Sequence, residues 1–353
     1  NLMRYTFYHE RSEKMATIKD IAQALGISPS TVSIVLRGNG EKRNISKSTI
    51  EKVFACAKEL DYQPNIVAKR LREINSPYSY TIAVFWTSDF RASMLVRFLR
   101  GLQKAIDASG LNIEFFIRQY ENDFLSMTLT ESSFNMFHGA IVCNASEKDI
   151  MYIESVTFLK PIVLYNRRSP IYSTVSIDDK LIGRIAADEF YKHHCRRSCI
   201  ITSESVFAGM LERTDSFISR IKEYSIEFID TFQVNNSISG GYSGGRKLLN
   251  LPYLPDSIFC ASDMISMGVL YALNEAGVSI PDKVKLISVG NGDREMEEFT
   301  YPPLSVVYIP IEEMAINCLR LLVELFPLNI AADQREIIID TPYIPRRTCP
   351  KTD

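Results

Sequence analysis

Residues able to do chemistry cluster in three places along the 353-residue chain. Gly241-Tyr242-Ser243-Gly244-Gly245 satisfies the Gly-x-Ser-x-Gly pattern of a nucleophile elbow, which would make Ser243 an attacking hydroxyl. A hydrolase of that order needs its histidine after the serine, and His9, His138, His193 and His194 all precede it. His193-His194-Cys195-Arg196-Arg197-Ser198-Cys199 offers two imidazoles and two thiols to a zinc ion. Adjacent histidines rarely converge on one ion, two arginines repel it, and the thiols have no distant partner pair. No metal and no other cofactor is therefore expected. A glycine-rich loop ending in Gly-Lys-Ser/Thr is missing, so nucleotide hydrolysis has no support. The third place is a basic head whose chemistry is binding. The expectation is a protein that is not an enzyme.

Formal net charge is −2, which alone argues against a nucleic-acid partner, but the charge is unevenly spread. Residues 15–74 hold 10 Lys and Arg against 6 Asp and Glu, while residues 75–353 carry a balance of −7. A small basic head on a large acidic body is the asymmetry of a nucleic-acid reader joined to something else.

The head must be helical to position its donors. Thr17 can cap a helix in which Ile18, Ile21, Ala22 and Leu25 share one face, and Gly26 breaks it. Ser28 caps a second helix with Pro29 at its first position, running through Ser30-Thr31-Val32-Ser33-Ile34-Val35-Leu36. Ser46 opens a third, striped by Ile50, Val53, Phe54, Ala57 and Leu60. Any small three-helix bundle could read this way. The outward hydroxyls of Ser30, Thr31 and Ser33 favour a helix-turn-helix, with Lys42, Arg43, Lys47, Lys69 and Arg70 supplying sequence-blind attraction to phosphates.

The body alternates strand and helix. Apolar runs at Thr81–Trp86, Asn112–Ile117, Gly139–Cys143 and Ile162–Tyr165 form one series. Cys199–Thr202, Glu227–Ile229, Ser257–Ala261 and Leu286–Val289 form another. Spacings of a strand plus a crossover helix predict two parallel-sheet α/β subdomains. The odd count of seven cysteines, mostly among apolar neighbours, favours a reducing compartment. No apolar run approaches 18 residues and the first residues lack a signal-peptide stretch. A cytoplasmic location and no membrane partner are expected.

Ala16-Thr-Ile-Lys-Asp-Ile-Ala, Gly26-Ile-Ser-Pro-Ser-Thr-Val-Ser and Glu59-Leu-Asp-Tyr-Gln-Pro-Asn-Ile-Val-Ala-Lys-Arg-Leu closely resemble the head of the lactose/galactose-repressor family. The resemblance continues over about residues 15–349. It implies a small all-α helix-turn-helix head plus an α/β body of two doubly wound parallel-sheet subdomains, periplasmic-binding-protein-like. The implied boundaries are an extension at 1–14 that is expected to be disordered, a DNA-binding domain at 15–62, and a hinge helix and linker at 63–76. The effector-binding and dimerisation domain then spans 77–353. Its N-subdomain covers about 77–176 and 309–335, and its C-subdomain about 177–308 and 336–353.

The resemblance further implies a homodimeric repressor that binds double-stranded, pseudo-palindromic operator DNA and answers to a small-molecule effector. At the DNA it places Ser30 and Thr31 at the groove and Ser33 near phosphates, with Thr17, Ser28 and Lys47 beside them. In the hinge it places Asn65, Ala68 and Lys69, and Leu71 as a wedge in the minor groove. Ile34 departs from the family, which usually carries a polar base reader there. An isoleucine can touch a thymine methyl but cannot donate to guanine.

Cleft positions implied by the resemblance are Asp89, Phe90, Arg91, Arg167, Arg213, Asn236, Ser262, Asn291 and Gly292. Three stretches have a plainer alternative: an exposed loop at Asp89-Phe90-Arg91, a surface ion pair at Arg213, and at Ser262-Asp263 a ligand-facing Ser262 with Asp263 capping the next helix. Asn236 stands where the family often has a stacking aromatic, and Gly292 where it has a carboxylate. Leu286–Asn291 and Phe299–Ser305 resemble regulators of β-galactoside use, so a galactoside or related sugar is the expected effector. A purine, nucleoside or sugar phosphate is the alternative. A solute-binding protein would share the body, but the basic head opposes it.

Overall fold

The computed structural model describes residues 18–36, 40, 43, 45–60, 79–89, 91, 94–205, 207–326 and 334–352. The chain divides into two units, residues 1–76 and 77–353.

In the first unit, α1 (Ile18–Leu25), α2 (Pro29–Leu36) and α3 (Lys47–Glu59) follow the expected pattern. Gly26 has φ +64°, a left-handed conformation that ends α1 at little cost only for glycine. The Ser28 hydroxyl accepts the Thr31 N–H at 3.0 Å, and the Ser46 hydroxyl accepts that of Thr49 at 3.2 Å, so both helices are capped as their sequences suggest. Ile21, Ala22, Val32, Val35, Val53, Cys56 and Ala57 form the apolar centre. Thr17, the extension before it, and hinge positions Asn65, Ala68, Lys69 and Leu71 lie outside the described residues.

The second unit opens with β1 (Ser79–Thr87), α4 (Leu95–Ser109), β2 (Asn112–Tyr120) and two short helices, α5 (Leu125–Thr128) and α6 (Glu131–Phe134). There follow β3 (Gly139–Cys143), α7 (Glu147–Ser155), β4 (Ile162–Tyr165) and β5 (Ser173–Ile177). The chain then builds α8 (Asp179–Lys192), β6 (Arg197–Thr202), α9 (Ala208–Glu223), β7 (Glu227–Gln233) and α10 (Ile238–Leu249). Next come β8 (Ser257–Cys260), α11 (Asp263–Glu275), β9 (Lys285–Gly290), α12 (Arg294–Glu298) and β10 (Ser305–Tyr308). It ends with α13 (Ile311–Leu325), β11 (Glu336–Ile339) and β12 (Tyr343–Ile344).

Two six-stranded sheets result, in the orders β11-β5-β4-β3-β1-β2 and β12-β10-β9-β8-β6-β7. All pairings are parallel except β10 with β12. Parallel strands covered by helices on both faces read as continuous apolar runs, and β1 shows why. Its Ile82, Val84 and Trp86 face one core and its Ala83 and Phe85 another, all five buried. The first core continues through Phe98 of α4 and Leu322 of α13 into Phe217 and Phe259 of the second subdomain.

The chain passes between subdomains three times. After β5 it enters α8, and after β10 it returns to α13, close to the expected positions Ser176 and Ile309. The third passage departs from expectation. β11 pairs with β5, Glu336 opposite Thr174, so this strand belongs to the first subdomain. The chain crosses at 340–342, rather than at Arg335, to reach β12 beside β10. A short apolar run, Ile337-Ile338-Ile339, fits either sheet edge by pattern alone, and only the pairing decides.

Gly241-Tyr242-Ser243-Gly244-Gly245 lies inside α10, not at a strand-to-helix turn, so no elbow exists. A Cβ at Gly241 would sit 2.0 Å from the Ile265 carbonyl oxygen, and one at Gly268 would sit 1.9 Å from that of Ile238. The glycines let α10 and α11 touch. His193 closes α8 and bonds the Pro350 carbonyl at 2.7 Å, while Cys195 and Cys199 are buried. Among the described residues no group of His, Cys, Asp and Glu could hold a metal, and no helix is long and apolar enough to cross a membrane.

Candidate functional site

The face of α2 is set by what it buries. Val32 and Val35 are 0% and 1% exposed, which leaves Ser30 exposed and Thr31, Ser33 and Ile34 half-exposed along the other side. Ser28 and Thr31 also share a hydroxyl–hydroxyl bond of 2.8 Å, and Lys47 is exposed at the start of α3. Short donors on a helix that a small core holds rigidly can approach base edges and phosphates.

In the second unit the candidate residues gather at the carboxyl ends of both sheets, where crevices form in open α/β folds. Thr87, Asn144 and Asn166 follow or end β1, β3 and β4, whose registers place them in one row. Asn144 and Asn166 have φ values of 64° and 53°, a left-handed conformation that asparagine tolerates best after glycine.

Asp89 and Arg91 are joined to each other. Arg91 Nε donates to Asp89 Oδ1 at 3.0 Å, Nη1 to the Asn144 carbonyl at 2.9 Å and Nη2 to Asn122 Oδ1 at 2.8 Å. Burial pushes the Asp89 carboxyl up, but the Arg91 bonds override it and leave it below its ordinary value. Arg91 therefore shapes the loop, with its fork engaged inside the first subdomain. Phe90 lies outside the described residues.

Arg213, on α9, is buried rather than on the surface. Its Nε donates to Asp179 Oδ1 at 2.7 Å, and Asp179 itself is buried at the start of α8. Asp179 was not singled out in the sequence, although the pair Asp178-Asp179 directly after a strand is the available signal. Ser262, rather than Asp263 as expected, caps α11, and it donates to Asn236 Oδ1 at 2.6 Å, bringing two expected residues together. Asn291 and Gly292 are half-buried beyond β9.

Gly292 explains its own departure from the family pattern. A Cβ there would lie 1.7 Å from Asp263 Oδ2, so the Asp263 carboxylate of α11 occupies the space a side chain at 292 would need. Burial pushes the Asp263 carboxyl up to about 6, against bonds from the N–H groups of Met264 and Gly292. The Gly292 carbonyl accepts from Arg97 Nη1 at 2.8 Å. Arg97 of α4 also bonds Glu312 at 2.6 Å and the Tyr308 hydroxyl, so one guanidinium reaches both subdomains. Arg97, Tyr308 and Glu312 carry no motif, and sequence reasoning missed them.

Arg167 follows β4 and is 6% exposed. It donates from Nε to the Ala145 carbonyl and from Nη1 to the Asn166 carbonyl, while Nη2 is buried without a partner among the described residues. Its Cζ lies 4.0 Å from the Phe207 ring centroid, and that of Arg213 lies 5.7 Å from the same ring. Thr87 Oγ1, Asn144 Nδ2 and Tyr165 OH are likewise buried without partners among the described residues. A more open recess of about 500 Å³ lies at the ends of β6 and β7, lined by Glu204, Gln233, Asn235, Ser239, Ser243 and Lys247.

Comparison with known proteins agrees with this arrangement. Residues 17–65 match the profile of bacterial regulatory proteins of the lacI family, and residues 187–349 match that of a periplasmic binding protein-like domain. A crystal structure of a LacI family transcription regulator from Clostridium acetobutylicum is 36% identical. It matches over 76% of this chain and 99% of that one, with a TM-score of 0.73. This chain belongs to the LacI family. Among its curated relatives, the probable HTH-type transcriptional repressor ExuR of Bacillus subtilis is 26% identical, covering 86% of this chain and 89% of the relative. The ribose operon repressor of Escherichia coli is 25% identical, covering 85% and 90%. The LacI-family regulator described here thus joins a DNA-binding head to a periplasmic-binding-protein-like body.

Proposed function

We propose that this regulator is a homodimeric repressor of a sugar-utilisation operon whose operator affinity is switched by a sugar or sugar derivative in the cleft between subdomains. The observation that carries the reading is α2, held by Val32 and Val35 with Ser30, Thr31, Ser33 and Ile34 left outward. The name of one relative, the ribose operon repressor, supports the sugar. Buried partnerless Thr87 Oγ1 and Asn144 Nδ2 support a polyol that hydrogen-bonds at the strand ends. The narrower galactoside expectation rests on sequence resemblance around Leu286–Asn291 and Phe299–Ser305.

An effector changes operator affinity only by its own differential affinity for the two body states, and typical couplings are about 1–3 kcal/mol. The test begins by selecting binding sites for the full chain from a random duplex pool. A pseudo-palindrome is expected, with affinity falling steeply with salt as six or more phosphate contacts demand. Sugars are then titrated into the complex. Leu71→Ala is expected to lose operator bending and affinity with the fold intact. Unchanged bending in that variant sinks the hinge assignment. A selected pool without symmetry sinks the dimer.

A further inference from the structure

The arginines around the cleft differ in how their charge is balanced. Arg91 is paired with Asp89, Arg97 with Glu312 and Arg213 with Asp179. Arg167 has no ion-pair partner among the described residues. Its hydrogen bonds go to the neutral carbonyls of Ala145 and Asn166, and Nη2 has none. Burial, helped by the nearby Arg91 charge, pulls its pKa down to about 10, against weaker attraction from Asp179 and Glu147. It remains a cation at neutral pH.

Resting on the effector reading above, we infer that the effector is an anionic sugar, a sugar acid or sugar phosphate, whose charged group binds Arg167. A buried charge without a counter-charge is costly, whereas a buried pair with good hydrogen bonds recovers most of that cost. A water or a sugar hydroxyl could accept from Nη2, but neither would neutralise the guanidinium. A carboxylate or phosphate does both, and the planar fork of arginine suits either group. The location fits. Asn144, with its own partnerless Nδ2, precedes the Ala145 carbonyl to which Arg167 is tied, so hydroxyl-binding and anion-binding groups are adjacent. Phe207, from the second subdomain, covers the guanidinium and holds it at the cleft.

The experiment uses the full chain and matched probe sets: galactose, galacturonate and galactose 6-phosphate, with the corresponding glucose set, and ribose with ribose 5-phosphate. Calorimetry and thermal shift read binding, and release from the selected operator reads function. At least one acid or phosphate is expected to bind about 10- to 100-fold more tightly than its neutral counterpart, the range of a charge-assisted hydrogen bond. The carboxylate and phosphate arms identify which anion. Arg167→Met is expected to abolish that preference while the free protein still folds, shown by an unchanged circular dichroism spectrum and a cooperative melt. Arg167→Lys retains part of it. A neutral sugar that binds as tightly as its charged counterpart, with Arg167→Met unchanged, overturns the anion inference and leaves the sugar-responsive repressor standing. Failure of every probe to bind or to release operator overturns both.

Discussion

The Arg167 guanidinium carbon lies 4.0 Å from the centroid of the Phe207 ring, so a cation of the first subdomain rests on an aromatic face of the second. Such a contact contributes up to about 2 kcal/mol when desolvated. Phe207→Ala is expected to weaken closure. In a double-mutant cycle with Arg167→Met, urea melts should give a coupling of about 0.5–2 kcal/mol. Strict additivity would show that the two groups do not interact in solution.

Asp179 compensates the buried Arg213. Asp179→Ala leaves that guanidinium unpaired, with an expected loss of about 3–5 kcal/mol in chemical denaturation. Asp179→Asn keeps an acceptor and should cost less. Equal losses for the two variants would mean that packing against Gly209, whose Cβ would meet Asp179 Oδ2 at 2.2 Å, matters more than the pair.

Gly292 has no room for a side chain. Gly292→Ala places a methyl group against Asp263, and overpacking of this kind costs about 1–3 kcal/mol. The variant should also disturb the Arg97 bond to the Gly292 carbonyl and with it effector affinity. Asp263→Ser added to Gly292→Ala relieves the collision, so the pair should be less than additive. Full additivity argues against the contact.

Burial pushes the Glu297 carboxyl up to about 7, with the Asp263 charge adding to the shift, and Asp263 itself to about 6. Both hold protons more tightly in the folded chain than unfolded, where their values are 4.5 and 3.8. The folded state therefore gains protons, and stability, as pH falls from about 7 toward 4, and loses that increment as pH rises through the same window. Glu297→Gln is expected to flatten the rise in melting temperature between pH 8 and pH 5.5 by a few degrees. A variant that tracks the parent across this range contradicts the assignment.

Under the proposed docking of α2, half-exposed Ile34 would meet the groove through apolar contact. Ile34→Arg is expected to move the preferred base at one position in each half-site toward guanine, with discrimination of about 1–3 kcal/mol. Repeating the site selection with the variant checks it. An unchanged consensus would place Ile34 away from the bases.

Much of this protein was legible in its sequence because the signals are local. The caps at Ser28 and Ser46, the break at Gly26 and the buried stripe of α2 each depend on residues within a few positions of one another. Gly139–Cys143 and Ile162–Tyr165 coincide with their strands, since a fully buried parallel strand is an unbroken apolar run. Less legible were β11 and β12, where Glu336–Ile339 and Tyr343–Ile344 are too short for periodicity to choose a sheet.

The site was legible only as residue types at family positions. Arg91, Arg167 and Arg213 look alike as letters in the chain. By itself the sequence determined the helix-turn-helix head and the two α/β subdomains, because periodicity, capping and spacing act over short distances, whereas the cleft positions followed only from resemblance to the family. Only the tertiary structure decided that Arg91 and Arg213 have their charges met by Asp89 and Asp179 while Arg167 meets no counter-charge among the described residues. Ion pairing depends on which groups two distant segments bring within a few ångströms, and on how little water remains between them.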